Sequence, residues 1–211
     1  MTEKTTKPTI IIVGFPKSGT STLQKAFAKS GIRSAHWKHD GKVVGKMIYD
    51  GWFDEGDPFF HFDDVDAITQ MDFCNSPNPG DPLQSYWPNL DISLLIAIRK
   101  MYPNCKFILN FRSPNATTNS MSRWYNLQQR IIQSDCTGLP KGRGSLEEIE
   151  RWITTHIDAI RHVFQEDENF LDLDIASSDA RTTLETFLGR KLSWWGVANK
   201  NDKANKSRSP T

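Results

Sequence analysis

The chain has 211 residues, of which 37% are apolar and 24% charged, the balance of a globular chain long enough to bury a core without staples. Mean hydropathy is −0.53 and no run approaches the ~18 apolar residues of a spanning helix, which excludes helical membrane proteins. The net charge of +1 hides a segregation: residues 47–98 hold ten carboxylates and no Lys or Arg, so the basic excess lies on either side. Such an acidic block argues against a general nucleic-acid binder, while the basic parts can still hold a small anion. Cys74, Cys105 and Cys136 are odd in number and lack metal-ligand spacing. Together with an opening MTEKTTKPT that leads into too short an apolar run for a secretory signal, they predict a cytoplasmic protein that does not associate with membrane.

In chain order, Thr9–Gly14 (TIIIVG) reads as a strand buried on both faces. Phe15–Thr20 is a turn, and Ser21–Ser30 carries Leu23, Ala26 and Phe27 at helical spacing. Ser34–Trp37 predicts a short second strand, Gly41–Phe62 helix plus loop, and Val65–Met71 a third strand. Asn75–Trp87, with Pro77, Pro79 and Pro82, predicts a loop. Asn89–Met101 has helical periodicity, and Cys105–Phe111 (CKFILNF) is a second apolar strand. Ser113 and Pro114 are the N-cap and first residue of a helix expected to run to about Gln133. Ser145 and Glu148 form a capping-box signature for a helix ending near Phe164. Phe170–Ile175 is a strand, Ala180–Leu188 a last helix, and the polar segment from Asn199 a tail. Strands alternating with helices predict an α/β fold, a three-layer parallel sheet flanked by helices, in one domain over 1–211 with a tail from about 200. Ligands of such sheets bind beyond the carboxyl ends of the strands.

Two segments at strand ends carry chemistry. Gly14-Phe15-Pro16-Lys17-Ser18-Gly19-Thr20-Ser21-Thr22 follows a strand and opens a helix. The glycines permit a tight loop, the helix N-terminus supplies N–H donors and partial positive charge, Lys17 adds a full charge, and the hydroxyls add donors. The segment keeps the Gly-x4-Gly frame of a P-loop but has Thr20-Ser21 where a Walker A loop has Lys-Ser/Thr. The second segment is Arg112-Ser113-Pro114 at a strand end, with Ser120 on the following helix and Arg123-Trp124 beyond it. A guanidinium there can grip a phosphate with two hydrogen bonds, and a serine adds one.

Pro16–Thr22 resembles the 5′-phosphosulfate loop of sulfotransferases that use 3′-phosphoadenosine-5′-phosphosulfate (PAPS), and Arg112-Ser113-Pro114 with Ser120 resembles their 3′-phosphate motif. Phe170–Asp174, Phe187–Gly189 and Val197–Lys200 are similar to later segments of that family. The resemblance implies a P-loop-type α/β fold without metal, with PAPS as the cofactor and adenosine 3′,5′-bisphosphate as its product. It implies that Lys17 contacts the bridging oxygen and leaving phosphate. Pro16, Ser18, Gly19, Thr20, Ser21 and Thr22 would form the 5′-phosphate cradle, and Arg112 and Ser120 would bind the 3′-phosphate.

The acceptor hydroxyl or amine must lose its proton to a base. Asp72 and His36, each at a predicted strand end, are the candidates, followed by His39; His36-x-x-His39 with Asp40 is too sparse for a metal site. The acidic block predicts a small neutral or cationic acceptor. A P-loop kinase, with Asp72 as a Walker B look-alike, and a non-catalytic phosphonucleotide-binding module are the rival readings.

Overall fold

A computed structural model describes residues 7–198; the tail from about 200, and Asn199 and Lys200 of the Val197–Lys200 segment, lie outside the described residues. In order, the elements are β1 (Ile10–Ile12), α1 (Thr20–Lys29), β2 (Ser34–Ala35), β3 (Lys38–His39), β4 (Lys42–Val43), α2 (Val44–Glu55), β5 (Ala67–Ile68), β6 (Phe73–Asn75) and β7 (Gln84–Tyr86). A 3₁₀ turn (Pro88–Leu90) then leads into α3 (Ile92–Met101), β8 (Lys106–Phe111), α4 (Pro114–Ser122), α5 (Leu127–Gln133), α6 (Leu146–Phe164), β9 (Phe170–Asp174) and α7 (Ala180–Leu188).

Five strands form one parallel sheet in the order β2-β5-β1-β8-β9, with β1 at the centre. Successive side chains of β1 and β8 enter different cores. Ile11, Val13, Phe107 and Leu109 pack among residues of α2, α3 and α6, whereas Ile10, Ile12 and Ile108 pack against Leu23 and Phe27 of α1 and Leu184 of α7. Burial on both faces explains why these strands read as unbroken apolar runs. Each fully buried isoleucine contributes roughly 2–3 kcal/mol, so the centre of the sheet is its most strongly held part. The chain leaves β1 toward β2 and leaves β8 toward β9, so the crevice between β1 and β8 is where connections diverge. Such a switch point is where a ligand fits an open α/β sheet.

The structure corrects several boundaries. The third strand is only Ala67–Ile68, because beyond it Gln70 and Asp72 turn into side-chain hydrogen bonds. The expected loop over Asn75–Trp87 holds the antiparallel pair β6–β7, with Phe73 opposite Tyr86 and Cys74 opposite Ser85. Its prolines sit between the strands, where they block no ladder hydrogen bond. The helix expected from Pro114 to Gln133 is two helices. They part at Arg123–Asn126, where Tyr125 takes φ 45° and turn bonds Trp124 N to Met121 O and Leu127 N to Trp124 O replace the helical ladder. The Ser113 cap and the Ser145–Glu148 capping box form as predicted. Among the described residues no helix is long and apolar enough to cross a membrane.

Candidate functional site

The turn after β1 runs under the end of β8, and two asparagines hold it there. Asn110 Nδ2 donates to both the carbonyl and the hydroxyl of Ser18, at 2.8 Å each, and Asn89 Nδ2 donates to Gly14 O at 3.0 Å. The approach leaves no space for a side chain at residue 14: a Cβ there would stand 2.1 Å from Asn110 O. Gly19 caps α1 at φ 100°, a conformation that disfavours any side chain, and no side chain closes the first N–H groups of the helix. Thr22 N donates to Gly19 O at 2.9 Å, and the positive end of the helix is left without a capping side chain, where an anion can approach.

Three of the loop hydroxyls have partners within the protein. Ser18 Oγ donates to Phe15 O at 2.5 Å, Thr20 Oγ1 donates to Gln70 Oε1 at 3.3 Å, and Thr22 Oγ1 accepts from Ala198 N at 3.3 Å. The cradle's polarity comes from backbone N–H groups, from the Thr22 hydroxyl, whose own proton that contact does not use, and from Lys17, a half-buried residue with φ 68°. Pro16 is buried beside it, and Ser21 lies on the first turn of α1.

Arg112 follows β8 directly. Its Nε and Nη2 are buried without a hydrogen-bond partner. Burial, then the like charge of Arg123, pulls its pKa below the usual value. Burial, then Arg112, pulls the Lys17 ammonium down to about 8. Three cations thus crowd together, and among the described residues no carboxylate forms an ion pair with any of them. Lys17 and Arg112 are half-buried and Arg123 is exposed; leaving the two half-buried charges unpaired has a cost that a bound anion would relieve. Ser120 is buried on α4, eight residues beyond Arg112. The Lys17 ammonium stands 3.2 Å from the ring centre of Trp124.

Asp72 is 6% exposed, its Oδ1 has no partner, and its Oδ2 accepts from Gln70 Nε2 at 3.0 Å. Gln70 in turn accepts from Thr20, so one residue links Asp72 to the start of α1. Burial raises the Asp72 carboxyl to about 7, against the Gln70 hydrogen bond that lowers it. His36 belongs to a different network: its Nδ1 lies 3.0 Å from Thr69 Oγ1, which also lies within hydrogen-bond distance of Gln24 Oε1 and Ala35 O. Burial pulls its pKa to about 4, so it is neutral at ordinary pH. His39 does not join His36; its Nε2 lies 3.0 Å from Asp64 Oδ1, with Asp40 nearby on the surface.

Most of the acidic block is spent locally. Asp50 pairs with Lys46, Asp63 with Lys7 and Asp66 with Arg33; Asp57 accepts from Tyr102, and Asp91 caps α3. Two clefts, of about 400 Å³ beside Arg143 and Trp152 and about 320 Å³ at the amino ends of β1 and β8, include no residue of the phosphate loop.

Sequence reasoning missed Asn110, Asn89 and the Cys74–Cys136 contact. Asn110 did leave a signal, as the polar residue that interrupts the apolar run Phe107–Phe111. The two thiols share a hydrogen bond that lowers Cys74, while Cys136 is raised; they meet through the β6–β7 hairpin and the turn after α5, 62 positions apart in the chain, and nothing local announces this. No family model matches the chain, and no curated protein matches it. The functional reading therefore rests on the fold and its side chains.

Proposed function

We propose that the protein is a PAPS-dependent sulfotransferase of P-loop-type fold that acts on the hydroxyl or amine of a small acceptor. The observation that carries the reading is the cluster of Lys17, Arg112 and Arg123, without ion-pair partners among the described residues, at the N-terminus of α1 and the switch point of the sheet. That cluster fits a ligand with two separated phosphates better than a single carboxylate.

PAPS supplies the sulfuryl group when bound. The N–H groups at Gly19–Thr22 would hold its 5′-phosphate, and Arg112 and Ser120 its 3′-phosphate. The Lys17 ammonium would stabilise the negative charge that develops on the phosphate oxygen leaving the sulfuryl group. The Asp72 carboxylate, whose pKa near 7 suits a base at neutral pH, would take the proton that the acceptor's hydroxyl or amine loses on transfer. His36 is the weaker candidate, because its Nδ1 is engaged by Thr69 and its basicity is low. A neutral or cationic acceptor is favoured by the absence of Lys and Arg over residues 47–98, although local pairing weakens the field of that block.

Calorimetry with adenosine 3′,5′-bisphosphate in the presence of a chelator tests the reading, followed by a mass-spectrometric sulfation screen with labelled PAPS. Binding without metal, and transfer to at least one acceptor, are expected. Magnesium-dependent binding of ATP with no affinity for the bisphosphate would make the protein a kinase instead. Bisphosphate binding with no transfer to any acceptor class would make it a binding module.

A further inference from the structure

Among the described residues, three non-glycine residues have positive φ: Lys17 (68°), Asp40 (48°) and Tyr125 (45°). Asp40 is explained locally, since with Gly41 (φ 76°) it forms the two-residue turn between β3 and β4. The other two are 108 positions apart in sequence, yet they flank one contact, the Lys17 ammonium on the face of Trp124. Non-glycine residues persist in that region where their surroundings over-determine them. Trp124 itself is fixed by its amide bond to Met121 O at 3.2 Å and by the edge-on ring of Tyr125 at 5.0 Å.

We propose that Trp124 is a positioning residue, whose ring face fixes where the Lys17 ammonium stands and favours its charged form. The contact itself stands on geometry; its role in turnover rests on the sulfotransferase reading. An aromatic face attracts a cation, tryptophan most strongly, and more so where water is excluded. The charged groups around Lys17 all oppose its charge: Arg112 from the end of β8, and beyond it Arg123 from the end of α4. Among the described residues no carboxylate pairs with Lys17, so the indole is the contact that offsets this repulsion. Trp124 also follows the α4 helix that carries Ser120. Through Trp124 the loop for one phosphate is held against the helix for the other, at a break between helices that would otherwise have no evident purpose.

The test measures Lys17 directly. The rate at which acetic anhydride acetylates Lys17, followed by peptide mass spectrometry across pH 6–10, reports its titration without ligand or turnover. In Trp124→Leu the midpoint is expected to fall by about one pH unit, and in Trp124→Phe by less, since benzene binds a cation more weakly than indole. A Trp124→Leu midpoint equal to the parent's overturns the proposal. If Trp124→Leu does not fold, Trp124→Phe decides, and an unchanged midpoint there overturns it. Where turnover is found, the alkaline fall of kcat/KM should move to lower pH in parallel; a kcat/KM profile that does not follow the Lys17 midpoint overturns the role in turnover. A shifted midpoint in a protein that binds no adenosine 3′,5′-bisphosphate upholds the contact and removes the sulfotransferase reading. Sulfuryl transfer by the parent with an unmoved midpoint in the variants does the reverse.

Discussion

Asn110 donates from one amide nitrogen to both the carbonyl and the hydroxyl of Ser18, 92 residues earlier in the chain. This bond ties the two candidate phosphate segments together, because Asn110 lies two residues before Arg112 and Ser18 one residue after Lys17. The geometry of the site is therefore a property of the β1–β8 pairing as much as of either loop.

Gly14→Ala tests that pairing. The added methyl would meet the Asn110 carbonyl at 2.1 Å and its side-chain oxygen at 2.3 Å, and the backbone oxygen cannot swing away. A destabilisation of about 3 kcal/mol or more is expected in urea unfolding. Unfolding within about 0.5 kcal/mol of the parent would show that β1 and β8 are not held this closely.

Lys17→Ala should leave the fold intact and reduce kcat on the order of 10²-fold or more, with a smaller change in affinity for adenosine 3′,5′-bisphosphate. The ammonium acts most where leaving-group charge grows, so its loss falls on turnover rather than on binding. Parent-like kcat would remove Lys17 from the chemistry.

Arg112→Met keeps the apolar stem and removes a guanidinium whose Nε and Nη2 are buried without partners. The ligand-free variant should melt higher, about 2–4 °C for each ~1 kcal/mol regained. Adenosine 3′,5′-bisphosphate at a hundredfold excess over its dissociation constant should stabilise the parent by about 2.7 kcal/mol and the variant far less. Ser120→Ala should lose less of the preference for the 3′-phosphate, since a hydroxyl contact is weaker than a charged pair. Equal melting shifts with and without the 3′-phosphate in the parent would remove both residues from that role.

Asp72 couples stability to pH in the unfavourable direction. Its folded pKa of about 7 lies above the value near 4 of an unfolded carboxyl. Between those values the unfolded chain has lost the proton and the folded chain has kept it, so folding loses roughly 1.4 kcal/mol per pH unit as pH rises from about 4 to about 7. Asp72→Asn should therefore be more stable than the parent at pH 8, with the gap closing below about pH 4. The same variant should lose the rise in kcat/KM through about pH 7, leaving only the fall above about 8 that Lys17 sets. A parent-like pH profile in Asp72→Asn would point to another base.

Local chemistry in the chain was enough to announce the opening strand, loop and helix, the Ser113 and Ser145 caps, and Lys17 and Arg112 at strand ends. Those features depend on backbone periodicity and on glycine, proline and cap residues within a few positions of one another. The tertiary structure decided the rest: β1 at the centre of the sheet, Ser18 turned inward to Asn110, Asp72 buried to a pKa near 7 while His36 is held by Thr69, and Cys74 beside Cys136. It also decided the helix break at Trp124, where no glycine or proline warned of it and a lysine more than a hundred residues earlier occupies the ring. A side chain's charge and partners depend on what packs over it, and strand order brings those neighbours from distant parts of the chain.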